Sequence, residues 1–166
     1  MNKLIMLLAL LLSLLGFSAA SGAATQFKLE LNLPAQSGEY HNPYVAAWIE
    51  DDKGQSVRTL VLWRDGAKWL KDIRRWWRKV GRKDQSIVDA MTSATRPAGH
   101  YQLNFKALDD QKQSLSAGNY VLRIEIVREN GGRSMTKQPF ILNGDSHQYP
   151  LAKSYEIAQS LFIIKE

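Results

Sequence analysis

The sequence predicts an all-β fold, an antiparallel β-sandwich that carries one basic, amphipathic helical insert. Two observations support the strands: short segments of alternating apolar residues, and polar or glycine-containing turns between these segments. A third observation supports the insert, because the apolar spacing changes once along the chain to that of a helix. The length suits one domain that buries its own core.

The first 24 residues have the features of a cleaved secretory signal peptide. Lys3 precedes an unbroken apolar run over residues 4–15, and small residues follow at 18–20 and 22–24. The run is shorter than the roughly 20 apolar residues that a membrane-spanning helix needs. We therefore predict export to the periplasm with cleavage between residues 20 and 24, which leaves residues 25–166 as a single β-sandwich domain.

The first half of the mature chain predicts three strands. Residues 27–33 alternate strictly between apolar and polar side chains, as in a half-buried strand, and residues 34–43 are predicted as a loop. Residues 44–51 and 56–63 flank the turn residues Asp51-Asp52-Lys53-Gly54 and are predicted to form a hairpin.

The helical insert is predicted from five apolar residues at the spacing of one helix face: Trp69, Ile73, Trp76, Trp77 and Val80. The other faces hold most of the positive charge, and the candidate partner-binding residues among them are Arg74, Arg75, Arg78 and Lys79. Either the tryptophan face covers the sheet, or the helix lies on an anionic membrane surface. Burial of three tryptophans against a sheet gains more free energy and favours the first interpretation.

The second half predicts a strand at residues 101–105, a polar turn at 109–113 and a strand after Gly118 that places Leu122, Ile124 and Ile126 on one face. Two further strands are predicted at residues 135–142 and 155–164. Two Gly-x-Tyr strand starts surround the polar turn, and this stretch resembles a hairpin of the flagellar hook-cap protein. The resemblance implies an immunoglobulin-like sandwich.

The sequence lacks the residues or the residue spacings that several kinds of functional site require. The absence of cysteine excludes disulfides and thiolate sites, and His41, His100 and His147 have no partner at metal-ligand spacing. Glu125 is expected to form an ion pair with Arg123 and Arg128 rather than a carboxylate pair for catalysis. We therefore expect neither an enzyme nor a metal protein, and export makes nucleic acid a poor partner despite a net charge of +6.

Residues 89–95, Asp-Ala-Met-Thr-Ser-Ala-Thr, contain the one pattern that indicates a cofactor. They resemble the covalent flavin attachment motif of exported redox subunits, Asp-x-x-Ser/Thr-Gly-Ala-Ser/Thr. Asp89, Thr92, Ala94 and Thr95 match the motif, whereas Ser93 stands where it has a glycine, the residue that most readily adopts a positive φ.

The motif resemblance implies FMN bound to Thr95 through a phosphoester, with Asp89, Thr92, Ser93 and Ala94 as the recognition sequence of a flavin transferase. Arg96 follows directly and is expected to supply a cation for the phosphate. The alternative is a polar linker in which Asp89 and Thr92 bind backbone donors.

Four segments, residues 44–51, 70–79, 89–99 and 124–132, are similar to a family of predicted periplasmic proteins of unknown function, domain of unknown function 2271. Members tend to be encoded beside PepSY-type membrane proteins and flavin transferases, which implies these two as partners and a redox setting. The leading hypothesis is thus a periplasmic redox accessory or electron-transfer protein that carries FMN. The alternative is a cofactor-free binding module that docks a membrane complex through its basic helix.

Overall fold

The computed structural model describes residues 24–166, so the predicted signal peptide, apart from Ala24, lies outside the described residues. Two β-sheets pack face to face and confirm the all-β sandwich, while the immunoglobulin-like topology stays a prediction. The nine strands of this range are β1 (Gln26–Leu33), β2 (Tyr44–Glu50), β3 (Ser56–Trp63), β4 (Thr92–Ser93), β5 (Gly99–Lys106), β6 (Gly118–Val127), β7 (Arg133–Leu142), β8 (His147–Pro150) and β9 (Leu161–Lys165).

The smaller sheet has the strand order β5-β1-β9-β8, and the larger sheet has the order β4-β3-β2-β6-β7. Neighbouring strands are antiparallel except β3 and β4, which are parallel. The alternation predicted for β1 is confirmed, because Phe27, Leu29 and Leu31 are fully buried between the sheets. The predicted β2–β3 hairpin is also confirmed.

Strand β2 is buried on both of its faces. Val45, Ala47 and Ile49 point into the core between the sheets. Its other face, with Trp48, belongs to a second core that the helical insert closes from outside. The molecule therefore has three layers around β2, which explains why this strand shows no polar alternation.

The predicted hairpin between residues 101 and 120 is wrong. Strand β5 pairs with β1 in the smaller sheet, whereas β6 pairs with β2 and β7 in the larger sheet, so the connection crosses the sandwich. The two Gly-x-Tyr starts have another role. The Tyr101 hydroxyl donates to the Pro97 carbonyl and the Tyr120 hydroxyl to the Ser116 carbonyl, each four residues upstream, in the manner of a tyrosine corner.

The predicted strand over residues 155–164 is too long at its start. Strand β9 begins at Leu161, and the four-residue β8 that pairs with it was not predicted. Between them the chain turns at Ser154 and returns to bond Leu151 N with the Ser160 carbonyl. Ile157 is fully buried from this loop, so its apolar character reflects core packing without strand geometry.

The helical insert comprises a 3₁₀ helix at Ala67–Asp72, helix α1 at Arg74–Trp76 and a π-helical turn at Trp77–Gly81. The prediction of one regular helix is thus wrong, although the predicted apolar face is confirmed: Ile73, Trp76 and Val80 are buried on the sheet. Gly81 permits the π-turn, because a Cβ there would lie 2.5 Å from Trp77 Cε3 and 2.8 Å from Trp76 Cζ3. The close approach of two indole rings requires glycine.

A buried carboxylate on β6 fixes the start of α1. Glu125 is fully buried and accepts the backbone N–H groups of Arg75 and Trp76, with Oε2 at 3.0 Å from both nitrogens. Arg133 Nε donates to its other oxygen at 2.6 Å. A carboxylate at the first turn satisfies donors that a helix leaves unpaired. The predicted pairing of Glu125 with Arg123 and Arg128 is wrong, because those arginines bind Glu50 and Glu156.

A second buried carboxylate, Glu50 on β2, receives three side chains. Arg75 donates to both of its oxygens at 2.9 Å, Arg123 donates at 3.0 Å and the Trp48 indole at 3.1 Å. Burial raises the pKa of Glu50, but the hydrogen bonds from Arg75, Trp48 and Arg123 together lower it further, to below its ordinary value of 4.5. Arg75 therefore serves the fold and joins the insert to β2.

We expect Glu125→Ala to lower the free energy of unfolding by about 3 kcal/mol, because three donors lose their acceptor at a buried position. Urea unfolding followed by tryptophan fluorescence measures the change. Glu129→Ala is the matched control, since the Glu129 side chain is 44% exposed and should contribute less than about 1 kcal/mol. Equal losses in the two variants would show that Glu125 does not hold the insert.

The lowered pKa of Glu50 predicts a loss of stability in acid. Ionised Glu50 stabilises the fold fully above pH 4.5, and this contribution is lost as the pH falls through the lower pKa of the folded state. Glu50→Gln should therefore be less stable at pH 7 and should show a weaker pH dependence below pH 4.5. Denaturation midpoints measured across this range test the expectation, with exposed Asp52→Asn as control; parallel curves for wild type and Glu50→Gln would contradict it.

Candidate functional site

The segment with the flavin-type motif is more ordered than a linker. Asp84 accepts the Ile87 N–H through its carboxylate and caps helix α2 (Gln85–Met91), which carries Asp89 on its exposed side. Asp89 accepts a hydrogen bond from Gln85 within the helix. The segment was expected to be a linker from Asp89 onward, whereas Asp89 lies within helix α2 and binds a side chain rather than a backbone donor.

Strand β4 anchors the middle of the motif beside β3. The Thr92 hydroxyl donates to the Val88 carbonyl at 2.6 Å and accepts from Arg64 Nε at 3.0 Å, while the Ser93 carbonyl accepts the Arg64 N–H. Ser93 has a negative φ and its side chain is exposed. Serine therefore replaces the glycine of the motif without backbone strain in this fold.

Thr95 lies past the end of β4 in an irregular segment and is half-buried. Within the described part of the chain its hydroxyl has no hydrogen-bond partner. Thr95 lines a polar cleft of about 220 Å³, the Thr95 cleft, whose other residues are Tyr40, His41, Asn42, Tyr44, Asp65 and Glu129. Two carboxylates, those of Asp65 and Glu129, line the same cleft.

Arg96 does not line the Thr95 cleft. Its guanidinium lies over the rings of Trp63 and Tyr101, with its Cζ at 4.5 Å and 5.4 Å from the ring centroids. Stacking on two aromatic rings stabilises this orientation. Arg96 therefore holds the chain after Thr95 against the sandwich. The sequence had indicated only a cation beside the phosphate.

A second cleft, of about 280 Å³, adjoins the first and shares Tyr44 and Glu129 with it. We call it the aromatic cleft; its other residues are Trp69, Asp72, Arg74, Val127, Arg128, Asn130, Gly131, Gly132 and Arg133. Burial raises the pKa of Tyr44, and the charge of Asp65 adds to this, so the phenol at the junction stays neutral. The role of Tyr44 was not predicted, because its segment looked only like a core strand.

A buried ion pair supports the wall between the two clefts. Arg128 Nη2 lies 2.7 Å from Glu156 Oε2, its other amino group donates to the His41 carbonyl, and its guanidinium lies 5.2 Å from the centroid of the Tyr40 ring. Burial lowers the pKa of Arg128, but its bond to Glu156 raises it above the ordinary value, so the guanidinium stays charged. The Tyr40 hydroxyl accepts the Ala98 N–H and ties the loop to the segment after Thr95.

The four predicted partner-binding cations have different surroundings. Arg75 binds Glu50, Arg74 lines the aromatic cleft, and Lys79 donates to the Gly54 carbonyl at 2.7 Å. Arg78 is exposed and donates to the Arg74 carbonyl. Residues 24–166 contain neither a group of three metal-ligating side chains nor a helix long and apolar enough to cross a membrane.

Comparison with known proteins places this chain in a family of predicted periplasmic proteins. A family model described as "Predicted periplasmic protein (DUF2271)" matches residues 26–159. The chain belongs to this family, as the sequence segments above indicated. Searches of curated proteins and of solved structures found no match.

We expect Tyr40→Phe to speed hydrogen exchange of the Ala98 amide several-fold, because this N–H loses an acceptor that contributes about 1 kcal/mol. Exchange measured by NMR reports it directly. Tyr155→Phe is the control, because the Tyr155 side chain is exposed and its ring lies outside both clefts. Unchanged exchange at Ala98 would show that Tyr40 does not tie the loop to this segment.

Proposed function

We propose that this periplasmic family member is a redox accessory or electron-transfer protein that carries FMN esterified to Thr95. The observation that carries the proposal is Thr95, a half-exposed residue that lines a cleft and whose hydroxyl forms no hydrogen bond within the described residues. Covalent attachment by a flavin transferase needs such a hydroxyl on a segment that the enzyme can grip.

The ordered flanks of the segment support the proposal. Helix α2 and the bonds of Thr92 fix the chain before Thr95, and the stacked Arg96 fixes it afterwards. Only a few irregular residues remain between these anchors. A transferase therefore meets a short, accessible stretch in a defined position, with Asp89 and Ser93 exposed for recognition.

The aromatic cleft offers surroundings that fit a flavin. Tyr44 and Trp69 present aromatic surface for a planar ring system, and Arg74 and Arg133 add donors. The carboxylates of Asp65 and Glu129 disfavour a phosphate buried beside Thr95, so the phosphoester would stay in water, where charges are screened. A bound flavin supplies the electron transfer, while these residues would set its exposure and charge environment.

The proposed partners are a flavin transferase, which attaches the FMN, and a PepSY-type membrane protein, which exchanges electrons with it. The protein itself would catalyse no reaction. A cofactor-free docking module is the second candidate, favoured by four cations that line one groove and form no salt bridge within the described residues: Arg78, Lys79, Arg82 and Lys83.

Co-expression with a periplasmic flavin transferase tests the proposal. We expect the intact mass of the mature protein to rise by about 438 Da, one FMN less water, and the purified protein to be yellow. Thr95→Ala should abolish the increase and Thr95→Ser should keep it, because only the hydroxyl takes part.

Ser116→Ala is the matched control, since it removes an exposed hydroxyl outside residues 89–95 and should be modified like the wild type. An unmodified wild-type protein, in cells that flavinylate another exported protein, would overturn the flavin proposal. The cofactor-free docking module would then be the better interpretation.

A further inference from the structure

One surface of the helical insert concentrates positive charge without compensation. A groove of about 420 Å³, the basic groove, is lined by five cations and no carboxylate: Arg75, Arg78, Lys79, Arg82 and Lys83. Arg75 is neutralised by Glu50 beneath it. Within residues 24–166 the other four form no salt bridge, so a net charge of several units faces solvent in one concave place.

The π-helical turn and the two residues after it carry four of the five cations. The Arg82 N–H donates to the Trp77 carbonyl at 2.9 Å, five residues upstream, and both Lys83 and Asp84 donate to the Val80 carbonyl. Arg82 and Lys83 line the same groove as Arg78 and Lys79, which lie four residues earlier in the chain. Regular helices avoid such pairs, because like charges four residues apart destabilise a helix by about 0.2–0.5 kcal/mol.

Two energetically unfavourable features, a π-turn and a cluster of like charges, thus coincide at residues 77–83. π-Turns are rare and occur frequently at functional sites, and here the turn depends on Gly81 beneath two indole rings. The clustered cations add repulsion. Lys79 is also held in place by the Gly54 carbonyl on the β2–β3 turn, and Arg78 by the Arg74 carbonyl. The cations are therefore partly preorganised around the groove before any ligand binds.

We propose that the basic groove binds phosphate groups, with the head groups of anionic phospholipids as one source and soluble phosphate compounds as the other. Guanidinium forks bind phosphate oxygens in pairs, and lysine adds mobile point charges. The volume suits a head group, since small-ligand sites start near 300 Å³. The groove shares no residue with the Thr95 cleft, so this inference does not depend on the flavin proposal.

Vesicle flotation at low salt tests the lipid source. The protein should float with vesicles of phosphatidylglycerol and phosphatidylcholine but not with phosphatidylcholine alone. The affinity of the double variant Arg82→Gln/Lys83→Gln for the anionic vesicles should be at least about tenfold lower, because each cation near an anionic surface makes a favourable contribution to the free energy of binding. Both side chains are exposed, so the variant should fold, and its thermal midpoint is measured alongside.

Lys137→Gln/Lys153→Gln is the matched control, because it removes the same charge from exposed positions outside the groove. It should bind anionic vesicles nearly like the wild type. Equal losses in the two double variants would mean attraction by overall charge and would overturn the groove as a site.

Calorimetric titration with inorganic pyrophosphate tests whether the groove binds soluble phosphate compounds. Binding by the wild type and the control, with loss in Arg82→Gln/Lys83→Gln, supports a phosphate site. If vesicles do not bind in the same preparations, the ligand is a soluble phosphate compound. Absence of binding to both vesicles and pyrophosphate overturns the proposal and favours an acidic protein partner.

Discussion

The attachment of the helical insert to two buried carboxylates determines the rest of this structure. Glu50 on β2 and Glu125 on β6 stand on paired strands and bind the same short stretch, one through the Arg75 side chain and the other through backbone N–H groups. Because these contacts satisfy buried charges, the tryptophans of the insert can close a second core over β2. A three-layered arrangement around one strand results.

The insert also assembles both candidate sites. Its beginning supplies Trp69 and Arg74 to the aromatic cleft next to Thr95, and its end supplies the cations of the basic groove. Between them Ile73 and Trp76 are fully buried, so neither end can shift freely without disturbing the core. A single packed segment therefore links the proposed cofactor site with the basic groove.

Local patterns in the sequence were reliable, whereas pairing between distant segments was not predictable. The alternation of β1 and the turn between β2 and β3 act over a few residues, so both were predicted correctly. The placement of β5 and β6 in different sheets depends on the whole topology, and the Gly-x-Tyr signals reflected corner hydrogen bonds instead. The apolar spacing predicted the buried face of the insert correctly. It cannot distinguish a π-turn from an α-turn, because in both kinds of turn residues about one turn apart lie on the same face.

The position of Ser93 bears on what the motif glycine does in related segments. In this fold residue 93 has a negative φ and bonds to β3, so glycine is not required for the unmodified structure. If a transferase requires a positive φ there, it must first break the two-residue pairing of β4 with β3, the shortest ladder between strands in the described sheets. Such a short ladder costs little to open. The segment is therefore free of backbone strain, and its pairing with β3 can open at low cost.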